Sequence, residues 1–206
     1  EIAARITARG HELAAGRGEA REAAILNLDI RGFTGLVRTL PPDAVAQLLT
    51  EYHAVVVPVL QRHGGAIDKF LGDGVMATFG AAVPTGTYAA DALRALEEAL
   101  AAAQTWARGA MDGKTLDVNG AVATGRVVFG AVGDENRLEY TVIGDAVNLA
   151  AKLEKHNKRL GSRALVTEAA YALALAQGYG AKGRVTPIAA AQVDGVVAPL
   201  DLVVLA

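Results

Sequence analysis

The apolar positions of the chain recur with two spacings, one typical of helices and one typical of strands. In residues 42–63 they return every three or four positions, which predicts a helix that ends at a glycine pair. The same spacing, in Ala- and Leu-rich sequence, predicts a second long helix over residues 88–108. A third is predicted over residues 145–160, where Gly161 supplies a helix stop.

Short apolar or alternating segments between these helices predict strands. The stretch DKFLGDGVMATFG, residues 68–80, predicts a hairpin, and residues 115–133 predict another strand pair. Single strands are predicted at residues 24–29, 138–143, 163–167, 189–193 and 199–205. One short helix is predicted at residues 168–177. Helices that alternate unevenly with hairpins are typical of an α+β domain with a mostly antiparallel sheet. We expect the helices to pack on one face of that sheet.

Composition narrows the possible functions. The chain has 206 residues, of which 52% are apolar and 20% are charged. With a formal net charge of −2 and a pI near 6.1, it lacks the basic field of a nucleic-acid-binding protein. It has no cysteine, which excludes disulfides, fits a reducing compartment and leaves carboxylates as the metal ligands. No run of 18 apolar residues is present to span a bilayer.

The first 22 residues differ in composition from the rest of the chain. They are charged and rich in alanine, and they begin with Glu1 rather than methionine. We therefore predict a helical lead-in over residues 1–22, the end of a linker from a regulatory or membrane region of a longer protein. Residues 23–206 then form the functional domain, which we expect in the cytoplasm.

Two aspartates stand at strand ends next to glycine-containing loops. Asp29 ends the apolar strand of residues 24–29, and Asp73 lies in the hairpin turn between Gly72 and Gly74. Because one helix separates the two strands, their ends are expected to lie side by side. Two carboxylates there can bind Mg²⁺ or Mn²⁺, and two ions about 3.5–4 Å apart support phosphoryl transfer. The alternative is that each aspartate is an ordinary turn residue.

A family resemblance rests on three segments. Class III nucleotidyl cyclases have three signature motifs, and the chain closely resembles them, in the same order, at LNLDIRGFTGL, DKFLGDGVMATFG and LEYTVIGDAVNLAAKLE. The resemblance extends over about residues 24–167. It implies a catalytic domain with a ferredoxin-like α+β core, working as a head-to-tail homodimer with active sites at the interface. Such domains convert a nucleoside triphosphate into a cyclic 3′,5′-nucleotide and pyrophosphate.

The resemblance implies roles for individual residues around the triphosphate. Asp29 and Asp73 match the two metal-binding aspartates, which hold two Mg²⁺ or Mn²⁺ ions per active site. The carbonyl of Ile30 is expected to complete the shell of the second ion. The loop that holds the triphosphate is matched by Gly32, Phe33 and Thr34. No side chain stands out as a dedicated base.

The resemblance also implies how the base and the ribose are bound. Lys69 and Thr141 match the base-recognition pair, and Asn148 matches the residue that positions the ribose. In the family, each site takes its metal ligands from one subunit and its base-recognition residues from the other. Lys69 and Asp73, four residues apart, are therefore expected in different active sites of the dimer.

The residues at positions 69 and 141 favour adenine over guanine. Lysine has only N–H donors, which suit the unprotonated N1 of adenine, and threonine can accept from the exocyclic amine. A mismatch leaves a buried donor unpaired and predicts about tenfold to a hundredfold discrimination. We expect an adenylate cyclase that acts on ATP, with guanylate cyclase as an alternative. Thr141 resembles a subgroup that includes bicarbonate-responsive cyclases, so bicarbonate is a candidate activator.

Two positions depart from the family pattern. Lys152 replaces the arginine that stabilises phosphate charge in the transition state, and lysine lacks the planar fork of donors. Its spacing still favours a catalytic role over that of a helix-surface residue. Asp194 and Gly195 stand where family members often carry a Lys-Gly segment, for which Lys182 or Arg184 is a candidate substitute. These departures leave open a nucleotide-binding signalling domain with little turnover.

Overall fold

A single mixed sheet of eight strands forms the centre of the part of the chain that the computed structural model describes, residues 18–109, 116–133 and 138–205. Its strands are β1 (Gly18–Arg31), β2 (Ala66–Leu71), β3 (Gly74–Phe79), β4 (Asp117–Gly133), β5 (Leu138–Ile143), β6 (Ala164–Thr167), β7 (Val185–Ala191) and β8 (Leu200–Leu205). They lie in the order β2-β3-β1-β4-β6-β8-β7, and β5 pairs with β4. The β4–β6 pair is parallel and the other pairs are antiparallel. The predicted α+β class is therefore confirmed.

Helices cover both faces of this sheet. Within the described ranges they are α1 (Phe33–Val37), α2 (Pro42–Arg62), α3 (Tyr88–Ala107), α4 (Asp145–Leu160) and α5 (Glu168–Ala176). Helices α2 and α3 share a buried cluster with Ala24 and Leu26 of β1, while α4 shares a second cluster with Ala23 and Ile25. Because successive strand residues point to opposite faces, the expectation of helices on one face is wrong. All four of these β1 residues are fully buried, which requires cover on each side.

Strand β1 begins earlier than the sequence pattern predicted. Residues 18–22 pair with residues 126–130 of β4, so the predicted helical lead-in over residues 1–22 is wrong for its last five residues. Glu19 and Arg21 lie two positions apart, on the same face of the strand, and form an ion pair. Charged residues that alternate in this way suit a half-exposed strand as well as a helix. The rest of the predicted lead-in, residues 1–17, lies outside the described residues.

Strand β4 is the second difference from the predicted elements. Residues 115–133 were expected to form a strand pair, whereas β4 is one continuous strand of 17 residues. It pairs with β1 along residues 117–130, with β6 at residues 120–122 and with β5 at residues 128–133. Its backbone groups therefore find partners without a turn.

No helix in the described ranges has both the length and the apolar character needed to cross a bilayer.

Candidate active site

The end of β1 and the β2–β3 turn meet at one edge of the sheet, where Asp29 and Asp73 lie together. Leu28 is opposite Val75 in the antiparallel β1–β3 pair, which places the end of β1 beside the turn. The carboxyl groups of Asp29 and Asp73 are in hydrogen-bonding contact. Gly74 lies close to the end of β1, where a Cβ at this position would be 3.3 Å from the Leu28 carbonyl oxygen. The structure thus brings the two predicted metal ligands together.

The Asp29 carboxyl group has a strongly perturbed pKa. Burial, followed by the negative charges of Asp73 and Glu154, raises the pKa of Asp29 from 3.8 to about 7. A divalent cation would relieve this repulsion, and two carboxylates suit such an ion. In the described ranges, no group of three or more His, Cys, Asp or Glu side chains is placed to hold a metal. The Ile30 carbonyl remains the further ligand that the sequence predicts.

The loop after Asp29 turns directly into the short helix α1. Gly32 is the N-cap residue and has φ 74°, a left-handed conformation that other residues rarely adopt. Its carbonyl accepts from the N–H groups of Gly35 at 3.0 Å and Leu36 at 3.1 Å. Phe33 is buried and anchors the loop in the core, while Thr34 is exposed. The N–H groups of Phe33 and Thr34 precede the first of these hydrogen bonds, so this loop can offer donors to phosphate oxygens.

Lys69 on β2 and Thr141 on β5 form a second group of candidate residues. Lys69 Nζ donates to Thr141 Oγ1 at 3.1 Å. Thr141 Oγ1 donates to Asp68 Oδ2 at 3.0 Å. Asp68 Oδ2 also lies 3.3 Å from Lys69 Nζ. The Asp68 side chain is fully buried, and burial raises its pKa against the opposing charge of Lys69. The structure thus brings together the predicted base-recognition pair, and it adds Asp68, which the sequence analysis did not single out.

Helix α4 carries the other two predicted residues. Asn148 is exposed on its first two turns. Lys152 is partly buried, and its amine donates to the carbonyl oxygen of Gly195, which follows β7. Arg159, further along α4, donates to Asp194 Oδ1 at 2.6 Å. The two departures from the family pattern, Lys152 and the Asp194-Gly195 segment, are therefore in direct contact.

A buried hydrogen-bond network lies behind Asp29, and the sequence analysis missed it. Asn119 stands opposite Asp29 in the β1–β4 pair and is fully buried. Its Nδ2 donates to Glu154 Oε1 at 2.6 Å, and its Oδ1 accepts from Arg31 Nε at 3.1 Å. The available signal was Glu154 itself, a charged residue four positions after the buried Ala150 and therefore on the same side of α4. A charge at such a position needs a buried partner.

A groove defined by described residues lies away from both groups. It has a volume of about 880 Å³ and runs between α3 and strands β7 and β8. Of the candidates named above, only Lys182 lines it, and the Lys182 backbone N–H donates to Glu97 Oε1 of α3 at 3.1 Å. The groove is therefore a separate feature from the acid pair and the base-recognition pair.

Comparison with known proteins identifies the family to which this chain is similar. A model of the adenylate and guanylate cyclase catalytic domain matches residues 17–189. The terminal-differentiation-specific adenylate cyclase of Dictyostelium discoideum is 35% identical over 143 residues, which cover 68% of this chain and 6% of that protein. The chain spans well under two thirds of the length of the curated relatives that it matches.

Two solved structures of similar size share the fold. The guanylyl cyclase Cya2 has a TM-score of 0.78 at 28% identity, over 92% of this chain and 93% of that chain. The adenylyl cyclase CyaB from P. aeruginosa has a TM-score of 0.77 at 27% identity, over 92% and 96%. One is a guanylyl and the other an adenylyl cyclase, so the fold alone does not distinguish the base. The predicted ferredoxin-like fold is confirmed, and the chain belongs to the class III adenylate and guanylate cyclase catalytic domains.

Proposed function

We propose that the chain is the catalytic domain of an adenylate cyclase, which converts ATP into 3′,5′-cyclic AMP and pyrophosphate at sites shared by two subunits. One observation carries this proposal, the division of the candidate residues around a single hairpin. Asp73 in the β2–β3 turn joins Asp29, whereas Lys69 on β2 joins Thr141 on β5. One subunit therefore offers a metal-binding half-site and a base-binding half-site.

The acid pair fits Mg²⁺ or Mn²⁺. These ions prefer oxygen ligands, which the Asp29 and Asp73 carboxylates and the Ile30 carbonyl offer. The raised pKa of Asp29 supports this fit, because burial, and after it the neighbouring carboxylates, disfavour a negative charge that a cation would offset. Two ions held there would supply the Lewis acidity that activates the ribose 3′-hydroxyl and neutralises charge on the triphosphate.

The remaining candidates position the substrate and stabilise its charge. The N–H groups of Phe33 and Thr34 begin α1 and suit the phosphate oxygens. Asn148 is exposed on α4 and is assigned to the ribose. Lys152 supplies a positive charge to the phosphate as the 3′ oxygen bonds to the α-phosphorus and the bond to pyrophosphate breaks. Its contact with Gly195 restricts where that charge can lie.

The base-recognition pair supports ATP as the substrate. Lys69 can donate to N1 of adenine, and Thr141 can accept from the exocyclic amine, whereas guanine presents an N–H and a carbonyl at these two positions. The contact between Lys69 and Thr141 allows one base edge to meet both side chains. GTP is the competing substrate, and the similarity to the guanylyl cyclase Cya2 is the reason to test it.

A homodimer is supported by an apolar surface on β2, β4 and β5. Val128 and Ile143 are opposite each other in the β4–β5 pair and are 48% and 56% exposed. Val132, Phe70 and Leu71 are also about half exposed. Val128, Val132 and Ile143 share one face of the β4–β5 pair. Exposed apolar side chains grouped in this way mark an interaction surface. A head-to-tail dimer would cover such a surface and bring the metal half-site of each subunit to the base half-site of the other.

The direct test is turnover by the purified chain. We expect cyclic AMP and pyrophosphate from ATP with Mn²⁺, and a kcat/KM for GTP that is about tenfold to a hundredfold lower. Asp73→Ala should remove turnover while the protein remains folded. Product from GTP alone would replace the proposal with a guanylate cyclase. Binding of ATP without product would favour the alternative of a nucleotide-binding signalling domain.

Two further proposals concern regulation. We assign this chain to the catalytic part of a longer cytoplasmic protein with a regulatory or sensor region, and its small share of the relatives' length supports this. Bicarbonate is a proposed activator because of Thr141. A bicarbonate titration at fixed pH and ionic strength tests it, with sodium chloride as the control. A flat rate would remove bicarbonate from the account.

A further inference from the structure

We infer that Asp68 is the positioning residue that fixes base selectivity, because it holds the Thr141 hydroxyl as an acceptor toward the purine. This inference rests on the proposed function, in which Lys69 and Thr141 contact the base. Asp68 itself does not need to touch the nucleotide. Its side chain is fully buried beneath the pair, and one of its oxygens contacts both partners.

The direction of each hydrogen bond follows from the groups involved. The Lys69 ammonium has only donors, so the Thr141 oxygen accepts from it across 3.1 Å. An ionised carboxylate has only acceptors, so the single Thr141 hydroxyl proton points to Asp68 Oδ2, 3.0 Å away. The hydroxyl proton is therefore used within the cluster. What remains on Thr141 Oγ1 for a ligand is a lone pair.

This arrangement gives the pair a fixed pattern toward a base. Lys69, whose side chain is 40% exposed, has three N–H donors, two of which face Asp68 and Thr141. The third donor and the Thr141 lone pair match the N1 acceptor and the amine donor of adenine. Guanine opposes both, because its N1–H meets a donor and its O6 meets a lone pair.

Without Asp68, one of these two mismatches disappears. The Thr141 hydroxyl becomes free to rotate, and its proton can then point to the O6 of guanine. The ratio of kcat/KM for ATP to that for GTP should therefore fall by about tenfold, the usual value of one hydrogen-bond mismatch. A carboxylate that served only folding or only the charge of Lys69 would change both substrates in parallel and leave the ratio unchanged.

The experiment measures this ratio in Asp68→Ala and Asp68→Asn. Alanine removes the acceptor and should lower the ratio about tenfold, whereas the asparagine oxygen can still accept from Thr141 and should keep it within about threefold of wild type. Thr141→Val should lower the ratio, and adding Asp68→Ala to it should cause no further change, since the hydroxyl is already gone. If Asp68→Ala does not fold, Asp68→Leu, of similar shape and without an acceptor, takes its place.

The outcomes separate this inference from the proposed function. Wild-type turnover of ATP with an unchanged ratio in Asp68→Ala, or with additive effects in the double variant, would overturn the role of Asp68 alone. A wild-type protein that turns over neither nucleotide would overturn the proposed function. In that case the same variants are compared by calorimetric binding of ATP and GTP in the presence of Ca²⁺. Equal affinities of wild type for both nucleotides would then end the inference as well.

Discussion

Asp29 and Asp73 come from two different strand ends and have their carboxyl groups in hydrogen-bonding contact. Burial and the negative charges of Asp73 and Glu154 raise the pKa of Asp29, and they outweigh the single favourable charge of Lys158. Such a pair is unfavourable for folding unless a cation is bound. We interpret the contact as a metal-binding arrangement that lowers the stability of the cation-free protein. The pair can therefore be tested by stability measurements without any nucleotide.

Asp29→Asn should stabilise the cation-free protein at pH 8 while removing turnover. The pKa of Asp29 is about 7 in the folded chain and near 3.8 when unfolded, so the folded state binds more protons between these values. Its contribution to stability is therefore most favourable near pH 4 and is lost as pH rises through 7. Thermal melts in EDTA at several pH values should give a difference between wild type and Asp29→Asn that grows with pH.

The matched control for these melts is Asp43→Asn, a change at an exposed aspartate in the first turn of α2. It should change the pH dependence of stability much less than Asp29→Asn does, because an exposed carboxylate in the first turn of a helix contributes only about 0.3–1 kcal/mol. Added Mn²⁺ should raise the melting temperature of wild type and not that of Asp29→Asn. Parallel pH profiles of wild type and Asp29→Asn would contradict the strained acid pair.

Gly74 is the second test of the same geometry. Gly74→Ala places a Cβ 3.3 Å from the Leu28 carbonyl oxygen, which requires the turn or the end of β1 to shift by a few tenths of an ångström. We expect roughly tenfold weaker activation by Mn²⁺, because small displacements of paired ligands are costly. Gly86→Ala is the control, since a Cβ at position 86 meets nothing within 4 Å. Equal Mn²⁺ titration curves for the two variants would remove the close-approach argument.

Glu154→Ala tests the buried network behind the acid pair. The change leaves Asn119 Nδ2 without its 2.6 Å side-chain acceptor and should lower the free energy of unfolding by about 1–3 kcal/mol. Glu154→Gln keeps an oxygen at that position and should lose less than half as much. Urea unfolding of both variants measures this difference. Equal losses would show that the charge of Glu154, rather than its hydrogen bond, is what the network requires.

Much of this fold was predictable because the relevant signals are local. Helical spacing located α2, α3 and α4, and the hairpin around Asp73 followed from its flanking glycines. The face on which α4 packs was not predictable, because an amphipathic pattern identifies the buried side of a helix and not the face of the sheet that receives it. The sequence pattern does not distinguish a helix from a strand at residues 18–22, because alternating charges and alanine suit both elements.

The candidate site was predictable to a different extent. The motif residues Asp29, Asp73, Lys69 and Thr141 could be named, and the structure groups them in pairs. Their supporting residues could not, because Asp68, Asn119 and Glu154 act through contacts between distant strands and helices. Only the fold brings such residues together. Their metal-binding and base-recognition roles stay predictions.

Lys152 should be limiting for turnover. Lys152→Arg restores a planar fork of donors and should raise kcat severalfold, whereas Lys152→Ala should lower kcat about a hundredfold, as expected for a transition-state donor. Arg159→Ala, which removes the neighbouring contact to Asp194, is the control and should keep kcat within about twofold. If Lys152→Ala lowered the melting temperature and left kcat unchanged, its contact with Gly195 would be purely structural.

In the proposed dimer, each active site combines the aspartates of one subunit with residues of the other. Complementation between Asp73→Ala and Asn148→Ala tests it most directly, because each variant alone lacks a part of both sites. Only heterodimers contain one intact site, so a fully exchanged equal mixture should recover about a quarter of wild-type cyclic AMP production. A mixture that remains inactive, while sizing and labelled-subunit exchange demonstrate heterodimers, would contradict the shared site.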